Sequence, residues 1–179
     1  MDKREQLIDI ATKLFSERGY ENTPLSVVCE KANVSKGLIS HHFKSKDGLL
    51  REIFLKTTQL IVEINAVDTK NKTPNEQLVD LLESFFIQLE VDKMFFQFSL
   101  NTMLQPRTRE VLKDLISERA TFILKSVTSI FNKLDKAKAN VLSYMFIAEL
   151  DGVAINYLAG DIDFPLSDIK QHLIEKYRN

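Results

Sequence analysis

The stretch TPLSVVCEKANVSKGLISHHFKSK, residues 23–46, decides the reading of this chain. Thr23 followed by Pro24 predicts an N-cap with proline in the first helical position, and Leu25, Val28, Cys29 and Ala32 form the inner stripe of a short helix. Asn33 tolerates a positive φ better than most residues and makes the bend. Ser35 is a good N-cap for a second short helix, in which Ile39 and Phe43 lie four apart and lock inward. Lys36, Gly37, Ser40 and His41 are left pointing out. Ser45 then caps a longer helix that starts at Lys46.

The same rhythm continues outward from this stretch. Upstream, Leu7, Ile8, Ala11, Leu14 and Phe15 follow helical spacing, Gly19 ends the helix, and Tyr20 folds back on its last turn. Downstream, the helix from Lys46 runs through Leu49, Leu50, Ile53, Phe54, Leu60 and Ile61. Residues 66–75 are polar, contain Pro74 and read as a loop. Helices are expected from about Asn75 to Val91, over Met94–Leu104 up to Pro106, over 107–134, over 136–159 and, after a break at Gly160–Pro165, over Leu166–Tyr177. No convincing strand, repeat or low-complexity segment occurs, so the fold class is all-α.

Composition sets bounds without deciding function. The 179 residues carry 44% hydrophobic and 27% charged side chains with only 5 Gly and 4 Pro, which suits a globular protein of long helices. The net charge of −1 does not advertise a polyanion partner. Residues 1–56 hold 10 Lys/Arg against 8 Asp/Glu, whereas residues 57–179 hold 14 against 17, a mild basic bias at the front. Cys29 is the single cysteine, which suits a reducing compartment. The N-terminus lacks a signal-peptide pattern and no run approaches 18 uninterrupted apolar residues, so a cytoplasmic protein outside the membrane is expected.

A narrow polar helix face, held by an apolar inner stripe, is how a protein enters a DNA groove. The first 54 residues resemble the N-terminal DNA-binding domain of the TetR family of transcriptional repressors. The matching pieces are Ile10-Ala11-Thr12-Lys13-Leu14-Phe15, Gly19-Tyr20, Thr23, Ala32-Asn33-Val34-Ser35-Lys36-Gly37, His42-Phe43-Lys44-Ser45-Lys46 and Leu49-Leu50. Three positions depart from the family: Val27 stands in place of Asp or Glu, Asn33 in place of Gly, and Ser40 in place of a tyrosine that commonly touches DNA. The resemblance implies a helix-turn-helix DNA-binding domain over 1–46 and a C-terminal helical domain over 47–179 for effector binding and dimerisation. It also implies a homodimeric regulator, a repressor released from a pseudo-palindromic operator by a small-molecule effector.

On that face, Lys36 sits where it can donate to guanine O6 and N7. Gly37 costs about 1 kcal/mol inside a helix relative to alanine, so its place suggests clearance for DNA; a plain helix start is the alternative. Leu38 packs on a neighbouring helix or meets a thymine methyl, packing being favoured. The resemblance assigns His42 and Lys46 to phosphate and His41 to a base or sugar, with a surface His41 and a partly packed His42 as the bland reading. Thr23 and Ser35 can donate hydroxyl hydrogen bonds to phosphate, and Ser40 keeps a hydroxyl but loses the aromatic reach. If Lys46 holds a phosphate, Lys46→Ala lowers the salt slope of binding by about 1.

The rest of the chain carries the effector and dimer expectations. Phe85, Phe95, Phe98 and Phe122, with Gln88 and Asn101 as orienting groups, are candidate walls of an apolar pocket for an uncharged or amphipathic effector; a phenylalanine-rich core is the alternative. The last two long helices are expected to make the dimer, with Tyr144, Ala148, Gly152, Ile155 and Asn156 at the contact. Glu149 and Asp151 face solvent, the partner or effector.

No cofactor or metal is expected. His41 and His42 are adjacent and point about 100° apart on a helix, unlike an i, i+4 metal pair. Among three His and one Cys no catalytic motif occurs, so an enzyme is not expected. The rival class is a helical protein-interaction module that has lost specific DNA binding.

Overall fold

The computed structural model describes residues 2–65, 71–160 and 163–178. Residues 66–70 of the expected loop and 161–162 of the expected break lie outside the described residues. Ten helices occur among those described: α1 (Lys3–Arg18), α2 (Leu25–Ala32), α3 (Lys36–Phe43), α4 (Lys46–Asn65), α5 (Pro74–Val91), α6 (Lys93–Leu104), α7 (Pro106–Val111), α8 (Lys113–Leu134), α9 (Ala139–Ala159) and α10 (Leu166–Arg178). No strand occurs among the described residues, so the all-α class holds.

The helix ends follow from local chemistry. Asp2 caps α1 by accepting from the Arg4 N–H at 3.3 Å. Gly19 closes it at φ 80°, a conformation that strains residues with a Cβ. A Cβ there would also lie 2.8 Å from Nε2 of Gln105. Tyr20 does fold back, edge-on to Phe15 at 5.2 Å between ring centroids. The bend between α2 and α3 is made by Asn33 in the left-handed region (φ 51°, ψ 53°), with the Val34 N–H donating to the Cys29 carbonyl.

Three local expectations need correction. Pro24 is the N-cap of α2, and no side chain caps that end; Thr23 turns inward instead. Residues 107–134 form two helices, because the backbone leaves helical geometry at Leu112 (φ −107°, ψ 8°). The apolar spacing hides this break, since Leu112 at the break and Leu115 just after it are both buried. Finally, α5 starts one residue early on a capping box: Thr73 accepts from the Glu76 N–H, and the Glu76 carboxylate accepts from the Thr73 N–H at 2.7 Å.

The chain divides into two compact units, Met1–Gln59 with Met94–Ser117, and Leu60–Lys93 with Glu118–Asn179. This partition differs from a boundary after Lys46. Most of α4, with α6, α7 and the start of α8, packs with the helix-turn-helix. In the first unit Leu7, Phe15, Ile39, Phe43, Leu50, Phe54 and Phe98 share one core. Two ion pairs one turn apart tie α4 there. Arg107 donates to Asp47 at 2.8 Å, and Arg51 donates to both Asp114 oxygens at 2.8 and 2.6 Å and to the Val111 carbonyl at 2.9 Å.

The second unit is built from α5, α9, α10 and most of α8 around Leu78, Leu82, Phe86, Val127, Phe131, Phe146 and Leu173. Its helix α9 is long and apolar enough, by length and composition alone, to cross a membrane. One stripe of α9 (Ala139, Ser143, Phe146, Ala154) is buried in the unit. A second stripe is left uncovered, with Val141 61%, Tyr144 58%, Met145 52% and Ile155 47% exposed.

Candidate nucleic-acid interface

The candidate interface is the outer surface of α3 and its two flanking turns. Ile39 and Phe43 are buried and fasten α3 to the core, while Leu38 packs partly against the same cluster. This leaves Ser35, Lys36, Gly37, Ser40 and His41 exposed and His42 half-buried. The two imidazoles meet edge-on at 5.1 Å, and His42 leans on Phe43 at 5.9 Å. Ser35 caps α3 by position only, since its hydroxyl makes no cap hydrogen bond. Gly37 has no internal reason to be glycine: a Cβ there would meet only the Ser35 hydroxyl, at 3.6 Å.

Two residues expected at phosphates are placed otherwise. Thr23 is fully buried, and its hydroxyl donates to the Gly19 carbonyl at 2.9 Å. It is a structural tie between the end of α1 and the start of α2. Lys46 turns inward: its ammonium donates to the Tyr20 carbonyl at 2.6 Å and sits 4.1 Å from the Tyr20 ring centroid. Burial holds the Lys46 ammonium below the ordinary lysine pKa, against the opposing pull of Asp47 and Glu21. The Tyr20 hydroxyl donates to Asp47, which also accepts from Arg107. Burial first, and then the Asp47 carboxylate, push the Tyr20 phenol above its ordinary range.

The junction between α3 and α4 carries features that the spacing of apolar residues does not reveal. Lys44 has φ 66° and ψ −43°, and the Ser45 N–H donates to the Phe43 carbonyl at 2.8 Å, which is a γ-turn centred on Lys44. The Ser45 hydroxyl caps α4 by accepting from the Gly48 N–H at 3.0 Å. A Cβ on Gly48 would lie 1.9 Å from the Phe43 carbonyl oxygen, so the junction closes only over glycine. A glycine in the first turn of a well-capped helix is the one sequence signal that points there.

The six candidate pocket residues divide between the units. Phe95, Phe98 and Asn101 belong to the first, and Phe85, Gln88 and Phe122 to the second. Phe98 is a core residue of the first unit. The Asn101 amide donates to the Ser16 carbonyl at 2.8 Å, which makes it a tie between α6 and α1. Phe85, Gln88 and Phe122 are half-buried. Three residues before Phe122, α8 carries Arg119, a buried guanidinium whose pKa burial lowers to about 9. On α9, Tyr144, Ala148, Ile155 and Asn156 are exposed, and Gly152 has open space where a side chain would stand. The Asn156 amide folds back on the Gly152 carbonyl at 2.7 Å. Glu149 is engaged within the unit, accepting from Lys176 and from the Tyr177 hydroxyl.

Two short helices around a left-handed bend, the second fastened by its inner face and polar on its outer face, define a helix-turn-helix DNA-binding regulator. Residues 7–53 match the family model described as bacterial regulatory proteins, tetR family. The HTH-type transcriptional regulator BetI of Burkholderia ambifaria is 29% identical over 160 residues, spanning 84% of this chain and 79% of that protein. A transcriptional regulator (TerR/AcrR family) from Aquifex aeolicus VF5 superposes with a TM-score of 0.73 at 26% identity, over 98% of this chain and 97% of that one. A transcriptional regulator from Saccharomonospora viridis, in complex with choline, shares the fold with a TM-score of 0.74 at 22% identity, over 96% and 93%. Residues 7–53 thus match the DNA-binding domain of the TetR family, and the chain over most of its length is similar to DNA-binding transcriptional regulators of that family.

Proposed function

We propose that this regulator is a dimeric repressor that binds a pseudo-palindromic operator through α3 and leaves it when a small-molecule effector binds the C-terminal helices. The observation that carries the DNA half is the polar face of α3, where Lys36, Gly37, Ser40 and His41 stand exposed over buried Ile39 and Phe43. Lys36 and His41 are its base readers, and Ser35 and His42 meet the backbone, which positions the protein without reading sequence. With serine at position 40, the aromatic contact common in the family is replaced by a short hydroxyl, so the preferred operator differs.

The uncovered stripe of α9 supports the dimer. Val141, Tyr144, Met145, Ala148, Gly152 and Ile155 lie on one face at helical spacing, and a large apolar patch on a soluble protein marks an interface. Glu149 and Asp151 interrupt this helix midway, which suits a subunit contact better than a lipid span. A two-fold dimer presents two copies of α3 to two half-sites. We place the protein in the cytoplasm, where its DNA lies.

Effector coupling requires that the effector prefer one arrangement of the chain over the other, and it is then reciprocal with DNA binding. Phe85, Phe122 and Gln88 in the second unit provide apolar walls and an orienting amide for an uncharged or amphipathic compound. A gel shift on the DNA upstream of the protein's own gene tests the whole reading. Salt-sensitive, site-specific binding supports the repressor, and its absence favours a helical interaction module. Choline, bound by the Saccharomonospora viridis protein, is the first compound to titrate against that complex. If no compound among the candidates shifts operator affinity, regulation by an effector is refuted.

A further inference from the structure

We infer that DNA binding through α3 takes up protons at the adjacent pair His41 and His42, so that the protein holds DNA more tightly as pH falls through neutrality. The inference rests on the DNA-binding reading and adds a proton linkage to it.

Two of the three histidines of the chain stand side by side in the last turn of α3. Their rings meet edge-on at 5.1 Å, with His41 exposed and His42 half-buried against Phe43. Neither imidazole makes a hydrogen bond or ion pair among the described residues. The carboxylates of the neighbouring helices are engaged by other groups. On α1, Glu5 accepts from Arg4 at 3.4 Å and from Lys56 at 2.8 Å, and Asp9 accepts from Lys56 at 3.0 Å. On α4, Glu52 accepts from Arg4, and Asp47 accepts from Tyr20 and Arg107. Glu30 and Lys31 of α2 lie at the end that leads into the start of α3, away from its last turn. The cations about the pair are Lys36 and Lys44, both exposed, Lys46 at the start of α4, and Arg4, whose guanidinium lies 5.6 Å from the Phe43 ring centroid.

DNA therefore supplies the anion that the described residues do not set against this pair. A phosphate beside an imidazole favours the protonated ring, and histidine ordinarily titrates near about pH 6.5. Each proton comes from the buffer and stays on the ring while the phosphate is there. A group that gains a proton on binding strengthens binding as pH falls and withdraws that gain as pH rises. Each protonated ring that meets a phosphate also releases counterions, which steepens log affinity against log salt concentration by about 0.9.

The probe is a mixed-sequence duplex of about three helical turns, titrated by fluorescence anisotropy over a salt series at about pH 6 and about pH 8. Wild-type affinity should be at least about fivefold higher at the lower pH. The salt slope should be steeper there by about 0.9 to about 1.8. The double variant, His41→Gln with His42→Gln, should lose both differences. The comparison is made within each protein, so affinity lost equally at the two pH values does not enter it. His41→Gln alone changes only the exposed ring and should shrink both differences, which keeps the test decisive if the double variant folds poorly.

Salt-sensitive binding with the same affinity and slope at both pH values, or differences kept in full by the variants, overturns the inference and leaves the regulator reading intact. Wild-type protein that shows no salt-sensitive binding at either pH overturns the DNA-binding reading itself, and this inference with it.

Discussion

Gly48→Ala should destabilise this protein although alanine is the better helix former. The added Cβ would stand 1.9 Å from the Phe43 carbonyl oxygen and 3.1 Å from its carbon. A comfortable carbon–oxygen contact is about 3.4 Å, so the two chains must part by about 1.5 Å. The carbonyl cannot yield alone, because it accepts from Ser45 at 2.8 Å and belongs to a residue packed in the core. Breaking that bond costs about 1 kcal/mol. Lifting Phe43 and Ile39 partly off Leu49 and Leu50 costs about 2 kcal/mol more. The gain from replacing a helical glycine offsets about 1 kcal/mol. The net is a loss of about 2 kcal/mol, which moves a urea transition followed by far-ultraviolet circular dichroism down by about 1 M. Gly37→Ala is the internal control. Its Cβ would rest 3.6 Å from the Ser35 hydroxyl, an ordinary contact, so stability should hold or rise by up to about 1 kcal/mol while DNA affinity falls. A Gly48→Ala protein as stable as wild type would refute the close approach of α3 and α4, and a Gly37→Ala protein with full DNA affinity would refute the clearance over α3.

The remaining predictions concern the dimer and the acid limb of stability. Tyr144→Glu on the uncovered stripe of α9 should convert a dimer to monomer in sedimentation velocity at micromolar concentration; a wild-type protein that is already monomeric there excludes the α9 interface. Asp114 accepts two hydrogen bonds from Arg51, which hold its carboxyl well below the ordinary carboxylate range. A folded pKa below the unfolded one gives stability that is present above about pH 4 and lost as pH falls below it. Asp114→Asn should therefore flatten the loss of stability between about pH 4 and pH 2, and an acid limb as steep as wild type would show that the pair contributes nothing.

Much of this was legible in the chain itself, because helix stripes and caps are local. Ile39 and Phe43 point inward for the reason their spacing states, and Asn33 takes the left-handed bend its side chain tolerates. The break at Leu112 was not legible, since one non-helical residue leaves the apolar rhythm undisturbed on either side. Asn101 and Phe98 looked like pocket residues because an amide beside aromatics has the same composition in a core as in a cavity. Only their partners, the Ser16 carbonyl and the core of the first unit, separate the two.

The first 54 residues by themselves carried the resemblance to the family, and the helical spacing along the chain carried the all-α class, because a helix-turn-helix and its neighbours are written in short-range spacing, caps and one bend. Which polar side chains reach outward was decided by tertiary structure. Thr23 and Lys46 carry groups that suit phosphate, yet buried backbone carbonyls at Gly19 and Tyr20 claim them. An unpaired carbonyl in the interior costs more than a surface contact returns, and the sequence does not show which carbonyls the fold will bury.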